Sequence, residues 1–348
     1  METIAYFLDK NTFEILDVVQ LADYEINLDE ETNAKTTMTV LQKLNASDRD
    51  FVFIKEKGKI IYIGIIEAPT NEDGKTKYNI NATYVTNLFD RKIILKNENL
   101  IATYGIEDFI EYTIRNNFTE SDDTILNKTF IDIEVKTHTP KNFSVQTDNG
   151  IYNLHTFMTN CTQNYNIVYD FQVINKRLKI TIYKSEETVD LIDTNVSDIS
   201  EYYEKFETNV VSKVTVLTPD GAEINYYLLT DRTTTQNKDD ENRAIGDIVV
   251  VYEENQENIE ETALNQFKSN SYSHLIEFNI NINSTLCEVE NWHIGKPIKI
   301  KSKSNNVINT YISGISRGMN ARIWKIKTGN IRITLLDKLK QEKKKEEI

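Results

Sequence analysis

The segment Ile294–Leu336, IGKPIKIKSKSNNVINTYISGISRGMNARIWKIKTGNIRITLL, decides the fold of this chain. Isoleucine, threonine or leucine alternates with lysine, arginine or another polar residue at 297–301, 308–313 and 331–335. Because successive side chains of a β-strand point to opposite faces, this period of two predicts three antiparallel strands with one buried face each. The polar stretch Ser302–Asn306 predicts the hairpin turn between the first two strands.

The beginning of the chain contains a similar pattern. A strand that ends in lysine, a polar turn, and then Tyr-Ile followed by a glycine and an isoleucine occur at 50–65 and again at 296–315. The matched positions are Tyr62 with Gly64 and Tyr311 with Gly314. Glycine inside a strand indicates a bend or the close approach of another backbone. The two glycines and the two matched tyrosines are therefore candidate repeat and subunit-contact positions. An internal duplication and a chance likeness of two β-meanders both remain open at this point.

Length and composition indicate a folded protein with more than one core. The chain has 348 residues, of which 39% are hydrophobic and 10% aromatic. It has no apolar run near the ~20 residues of a membrane helix, and the first 20 residues include four acidic ones, so we expect neither membrane insertion nor a signal peptide. Cys161 and Cys287 could form one disulfide, but we expect two free buried thiols in a reducing compartment.

Charge is distributed unevenly along the chain. The formal net charge is −14, yet 289–348 carries 14 Lys and Arg against five Asp and Glu. A protein that is acidic over most of its surface is a poor nucleic-acid binder, because phosphate binding needs clustered cations. We therefore expect no specific recognition of nucleic acid. The basic end is either a set of solvated strand lysines or a surface for an acidic partner.

The hydrophobic period changes along the chain and predicts a mainly β protein with α+β insertions. Two similar β-barrel domains are expected, with peripheral α+β and β-hairpin domains between them. The predicted segments are a first β-barrel at 1–96, an α+β domain at 97–190, a β-rich inserted domain at 191–255, a helix and second β-barrel at 256–337, and a charged tail at 338–348. The helices of the α+β domain are predicted near 105–117 and 151–161, the second with Asp148 or Asn149 as its N-cap.

The sequence contains no pattern that carries chemistry. The four histidines, His138, His155, His274 and His293, are far apart and belong to no HExxH or Cys/His metal motif. A P-loop, a GxGxxG and a GxSxG motif are also missing. We therefore predict that the protein is not an enzyme and has no catalytic residue, no cofactor and no metal.

The segment Thr262–Phe278, TALNQFKSNSYSHLIEF, together with GKPIKI at 295–300, resembles the tail hub proteins of bacteriophages and prophages of Gram-positive hosts, the tail-associated or baseplate-hub family. The order of the predicted domains is similar as well. The resemblance implies a homotrimeric ring with two barrels per subunit that matches the six-fold tail tube and leaves a lumen for DNA. It implies a tube-protein ring and a fibre or spike protein as partners, and a position at the virion tail tip after assembly in the host cytoplasm.

Two other functions remain open. A cell-wall carbohydrate-binding adhesin would account for the β content and for tyrosines such as Tyr202 and Tyr203. A peptidoglycan hydrolase is the weaker alternative, because it would need a metal or a carboxylate pair. Neither accounts for the helix-containing middle and the paired barrels as well as a tail protein does.

Overall fold

The computed structural model describes residues 3–30, 34–67, 76–94, 100–102, 105–143, 151–191, 199–206, 211–229, 233–270, 274–283, 288–301 and 307–329. Strands dominate, as the sequence predicts. In chain order they are β1 (Thr3–Leu8), β2 (Ile15–Gln20), β3 (Asp23–Asp29), β4 (Lys35–Val40), β5 (Phe51–Glu56), β6 (Lys59–Ile66), β7 (Tyr78–Tyr84), β8 (Lys92–Ile94), β9 (Leu100–Ala102), β10 (Ile131–Val135), β11 (Lys141–Phe143), β12 (Ile151–Asn153), β13 (Ile167–Ile174), β14 (Arg177–Lys184), β15 (Val189–Leu191), β16 (Ile199–Phe206), β17 (Val211–Leu217), β18 (Glu223–Leu228), β19 (Thr234–Thr235), β20 (Asp247–Tyr252), β21 (His274–Asn281), β22 (Pro297–Lys301), β23 (Val307–Gly318) and β24 (Ile323–Gly329). The α-helices are α1 (Ile106–Ile114), α2 (Leu154–Tyr165) and α3 (Ile259–Asn270).

The chain divides into two compact units. The first comprises 1–202 and 277–348, and the second comprises 203–276. The boundaries fall within β16 and β21, where the chain passes from one unit to the other. The finer division at 96, 190 and 255 stays a prediction.

The main sheet has 13 strands, and its principal path runs β16-β21-β24-β23-β3-β4-β7-β6-β5-β1-β2. The long strand β23 makes this path continuous, because it pairs with β24 on one side and with β3 on the other, as Gly314 with Asp29. Its first part also pairs with β22, as Tyr311 with Pro297. A barrel requires the last strand to pair with the first, whereas this sheet continues from β23 into β3 and ends at β2. No sheet of the described residues closes into a barrel, so the two expected barrels are not confirmed.

Strand β5 is covered on both faces and lies at the centre of the first unit. Its sequence FVFI places Phe51 and Phe53 in one hydrophobic cluster and Val52 and Ile54 in another. All four side chains are buried, and full burial of such a side chain contributes about 1.5–3 kcal/mol. The first cluster also holds the buried sides of α1 and α2, so it fixes both helices against the sheet.

Helix α2 begins later than the sequence analysis predicts. The Asn153 side chain is the N-cap and accepts a hydrogen bond from Thr156 N at 3.0 Å. The residues before it, Ile151–Asn153, pair with Lys92–Ile94 as strands and cannot also be helical. The expected caps, Asp148 and Asn149, lie outside the described residues. The cysteine Cys161 is a free, buried thiol within this helix, and Cys287 lies outside the described residues.

The carboxyl-terminal part of the sheet contains a strand that the sequence analysis did not predict. The predicted strand at 331–335 lies outside the described residues, and the strand that pairs with β23 is β24. Its side chains alternate, with Trp324 and Ile326 buried and Ile323 and Lys325 exposed. The alternation of β24 agrees with the period-two rule, and the strand expected at 331–335 stays a prediction.

The second unit contains a four-stranded sheet in the order β19-β18-β17-β20. The hairpin between β17 and β18 turns at Thr218-Pro219-Asp220-Gly221, and Gly221 has φ = +81°, which favours glycine. Helix α3 packs on this sheet, with Ala263 and Phe267 against Val214 and Val216. Among the described helices of the chain, none is long and apolar enough to cross a bilayer.

Candidate functional site

The seam between β3 and β23 joins the amino-terminal and carboxyl-terminal strands of the first unit. The two strands are antiparallel, from the pair Gly314–Asp29 to the pair Gly318–Glu25. One residue beyond the ladder, Glu30 N donates a hydrogen bond to Ser313 O at 3.1 Å. The seam therefore brings the predicted position Gly314 against two carboxylates that the sequence analysis did not single out.

Glu30 is a buried carboxyl that is held by the predicted residue Tyr311. The Tyr311 hydroxyl donates a hydrogen bond to Glu30 Oε2 at 2.9 Å, and the two residues are 4% and 8% exposed. Burial raises the pKa of Glu30 well above its ordinary value, the Tyr311 hydrogen bond opposes this shift, and the charge of Asp29 adds to it. Glu30 therefore keeps its proton to a higher pH than a surface glutamate does.

The neighbouring carboxylate, Asp29, forms an ion pair with Lys327 of β24. Lys327 Nζ lies 2.6 Å from Asp29 Oδ2, and the side chains are 25% and 9% exposed. The pair passes directly over Gly314, since a Cβ at that position would lie 3.0 Å from Lys327 Cδ and 3.3 Å from Asp29 Oδ2. A residue without a side chain at 314 thus gives the ion pair its space.

The matched pair Tyr62 and Gly64 lies on β6, away from the seam. Tyr62 is 2% exposed, and its phenol covers Gly64, so that a Cβ there would collide with the Tyr62 hydroxyl. It would also lie 2.5 Å from Thr83 O of the neighbouring strand. Both glycines thus make room for a group of the same chain. A role of Tyr62, Gly64, Tyr311 or Gly314 in subunit contact stays a prediction.

A small cavity of about 30 Å³ adjoins Glu30. Its lining includes Glu30, Tyr84, His155, Tyr169 and Gly295. Burial lowers the pKa of His155, so the imidazole is held neutral, while the Tyr169 hydroxyl donates to Met158 O at 3.0 Å. A volume of this size has room for one or two water molecules, although most of its lining is apolar.

The histidines considered in the sequence lie in different surroundings. His138 Nδ1 lies 2.7 Å from Asp108 Oδ2, and this partner raises the pKa of His138. His155 lies in the cavity wall, and burial lowers the pKa of His293, which precedes the cavity residues Ile294 and Gly295. In the part of the chain that the structure describes, no three His, Cys, Asp or Glu residues are grouped so that they could hold a metal ion.

The comparisons with known proteins give similarity in fold without similarity in sequence. No family profile and no curated protein matches the chain. The crystal structure of the tail protein from Neisseria meningitidis MC58 is similar with a TM-score of 0.53 and 9% identity over 96% of this chain and 98% of that one. The 43 kDa tail protein of the prophage MuSo2 from Shewanella oneidensis is similar with a TM-score of 0.56 and 11% identity over 95% of this chain and 98% of that one.

The fold is that of phage tail proteins. The likeness extends over nearly the whole length of both chains in each comparison, so it covers the complete architecture and not a single sheet. At these identities it establishes the fold alone, and what the protein does follows as a proposal.

Proposed function

We propose that the chain is a structural protein of a phage or prophage tail. In this proposal it forms a homotrimeric ring at the tail tip or baseplate hub, closes or extends the tail tube, and leaves a lumen through which DNA passes. The observation that carries the proposal is the whole-length likeness in fold to two tail proteins, one of them from a prophage. The role is mechanical, and no catalytic step belongs to it.

Strand order supports the internal duplication that such a ring would use. The order β4-β7-β6-β5 in the amino-terminal part matches the order β21-β24-β23-β22 in the carboxyl-terminal part, strand for strand. A β-bulge between Ile312 and Gly314 adds one residue to β23. The bulge accounts for the spacing of three between Tyr311 and Gly314, where Tyr62 and Gly64 are two apart.

A duplicated unit gives the proposed trimer a symmetry that a single unit would lack. Three subunits, each with two similar four-strand parts of the main sheet, present six similar surfaces, which suits attachment to a six-fold tube. The net charge of −14 supports a lumen that does not bind the DNA passing through it, because like charges repel. The proposed partners are the tube-protein ring on one side and a fibre or spike protein on the other, at the virion tail tip after assembly in the host cytoplasm.

The oligomeric state tests the proposal. Native mass spectrometry of the full chain should give a species of three times the 40.4 kDa chain mass, and negative-stain images of it should show a ring with three-fold symmetry and a central opening. A particle of two-fold symmetry, or a trimer without an opening, would contradict the proposed lumen. Binding of purified cell-wall glycan by a monomeric chain would instead favour the adhesin.

A further inference from the structure

Four cationic side chains from four separate segments meet on one surface of the first unit. They are Lys10, Arg49, Arg91 and Lys128, called here the basic cluster. Lys128 Nζ donates a hydrogen bond to Lys10 O at 3.0 Å, and Lys10 Nζ donates to Asp48 O, next to Arg49, also at 3.0 Å. These contacts fix the segments near residues 10, 49 and 128 against one another.

Phe118 connects the fourth member, Arg91, to the cluster. The Arg91 guanidinium carbon lies 4.5 Å from the centre of the Phe118 ring, and Lys128 N donates a hydrogen bond to Phe118 O at 2.7 Å. Arg91 and Arg49 are both exposed to solvent. The aromatic ring therefore orients the guanidinium while leaving its N–H groups accessible.

The cations of the cluster repel one another. Burial and then the charges of Arg91 and Arg49 lower the pKa of Lys128, with a small opposite effect of Asp9. Burial and the charge of Arg49 likewise lower the pKa of Arg91. The fold therefore holds these positive groups close together, and their mutual repulsion costs free energy. A bound anion would remove this repulsion.

The nearby carboxylates do not neutralise the cluster. Asp9 accepts hydrogen bonds from Asn11 N, Thr12 N and the Thr12 hydroxyl, at 2.8, 2.8 and 3.1 Å. Asp50 is 2% exposed and accepts from Lys10 N and from Ser47. Within the described residues, the side chains of Arg49 and Arg91 have no carboxylate partner.

The backbone at Arg49 is held in an unusual conformation. Its φ is +69°, in the left-handed region that side chains other than glycine seldom adopt. Hydrogen bonds from Arg49 N to Ile66 O at 2.9 Å and from Asp50 N to Ser47 O at 3.2 Å maintain it. Strained residues of this kind are concentrated at binding sites, where the surrounding structure fixes them.

We propose that the basic cluster is a binding site for a compact oxyanion of the phosphate class. Two guanidinium groups and two ammonium groups on one surface complement the charge of a phosphate, and a guanidinium can donate two hydrogen bonds to its oxygens. The rest of the chain is acidic, with a net charge of −14, so a long polyanion would meet repulsion around the cluster whereas a compact anion would not. The inference is independent of the proposed tail role.

Calorimetric titration of the full chain with inorganic phosphate at low ionic strength tests the site. We expect saturable binding at one site, weakened by about tenfold or more in Arg49→Gln and in Arg91→Gln, because each removes a charge-assisted contact. The matched control is Lys184→Gln, which removes the same charge from an exposed lysine on β14 and should change the affinity by less than about twofold. Circular dichroism and thermal unfolding check that each variant is folded.

A titration with single-stranded oligothymidylate distinguishes free phosphate from phosphate carried by a polymer. Displacement of bound phosphate by the oligonucleotide would show that the same site accepts a phosphate group on a larger molecule, in agreement with the proposal. Binding of the oligonucleotide without any binding of phosphate would overturn it. Absence of saturable phosphate binding, or equal loss in Lys184→Gln and the two arginine variants, would overturn it as well.

Discussion

The Tyr311 hydroxyl donates a hydrogen bond to Glu30 at 2.9 Å, between two residues that are 281 positions apart in the chain. The bond closes the seam between β3 and β23 from the inside, next to the small cavity. It satisfies a carboxyl group that is otherwise withdrawn from bulk water. A buried carboxyl that loses its donor is more costly than a surface one, so this contact is a sensitive point of the fold.

Replacing Tyr311 with phenylalanine should remove this donor without changing the shape of the side chain. We expect the free energy of unfolding to fall by about 1–3 kcal/mol, the cost of leaving a buried polar group without its partner. Urea unfolding measures it. Tyr112→Phe, at a tyrosine that is 63% exposed on α1, is the control and should change stability by less than about 0.5 kcal/mol. Equal effects of the two substitutions would argue against the hydrogen bond as a source of stability.

The raised pKa of Glu30 gives the seam a pH dependence of known sign. The folded state binds the Glu30 proton more tightly than the unfolded state, whose pKa is near the ordinary value of 4.5. The stability that this proton contributes is therefore complete below pH 4.5 and is lost as the pH rises through the folded-state pKa. In Glu30→Gln this loss is absent. The stability difference in favour of the glutamine variant should grow by about 1.4 kcal/mol per pH unit over that window.

Urea unfolding of both proteins from acidic to mildly basic pH checks this prediction. The plots of unfolding free energy against pH for the two proteins should be parallel at low pH and should diverge as the pH rises. A difference in stability that stays constant across the whole range would show that Glu30 titrates in the folded protein as it does in the unfolded chain.

Three strand glycines of the main sheet, Gly64, Gly314 and Gly318, should differ in their tolerance of alanine. Gly64→Ala places a methyl group against the Tyr62 phenol and 2.5 Å from Thr83 O, a backbone atom that cannot move freely, so we expect a loss of roughly 1–3 kcal/mol. Gly314→Ala meets the flexible Lys327 chain at 3.0 Å and should cost less. Gly318→Ala is the control, since its nearest neighbour would be 3.9 Å away. The loss of stability should be largest for Gly64→Ala, smaller for Gly314→Ala and smallest for Gly318→Ala. Any other order would refute this packing account.

The same series separates packing from subunit contact. Sedimentation of each variant reports assembly while thermal unfolding of the monomer reports packing. If Gly314→Val leaves the melting temperature of the monomer unchanged but prevents trimer formation, position 314 acts in a contact between subunits. If it lowers the melting temperature and assembly of the folded fraction is normal, the glycine serves the Asp29–Lys327 pair within the chain.

The cap of α2 offers a further test of local structure. Asn153→Ala removes the side chain that accepts from Thr156 N and also donates to Asp90 Oδ1 at 2.7 Å. We expect a loss of about 0.5–2 kcal/mol, as for other N-caps. Asn153→Ser keeps a capping oxygen and should retain most of the stability. If Asn153→Ser and Asn153→Ala lower the free energy of unfolding in urea equally, the loss of the cap does not explain the destabilisation.

Local patterns predicted most elements and failed where partners are distant. The hairpin Ile167–Ile174 with Arg177–Lys184 follows from alternation and a two-residue turn, and both strands are present. The alternation at 323–329 is as clear a strand signal as that at 331–335, and the sequence analysis did not use it. Asp29 and Glu30 look like surface acids in sequence, because the residues that bury them are nearly 300 positions away.

The basic cluster escaped the sequence analysis for a related reason. Its members are single cations among many, and Arg49 is surrounded in sequence by acids, as in Asp48-Arg49-Asp50. Only the fold shows that Asp50 is turned inward onto Lys10 N and Ser47, which leaves the arginine uncompensated. The net charge of a sequence segment therefore does not show a cluster of opposite charge that forms only in the folded structure.

The pairing of β23 with β3 sets the order in which the chain can fold during synthesis. Strand β3 is made early, while its partner β23 is made late, so the ribosome must synthesise the whole segment between them before that ladder can form. Until then the hydrogen-bonding edge of β3 is open, and an open edge is a place for wrong pairing with other nascent chains. Closing so long a loop is slow and entropically costly. Yield of soluble protein should therefore depend on expression temperature and on chaperones more than the stability of the finished fold would suggest.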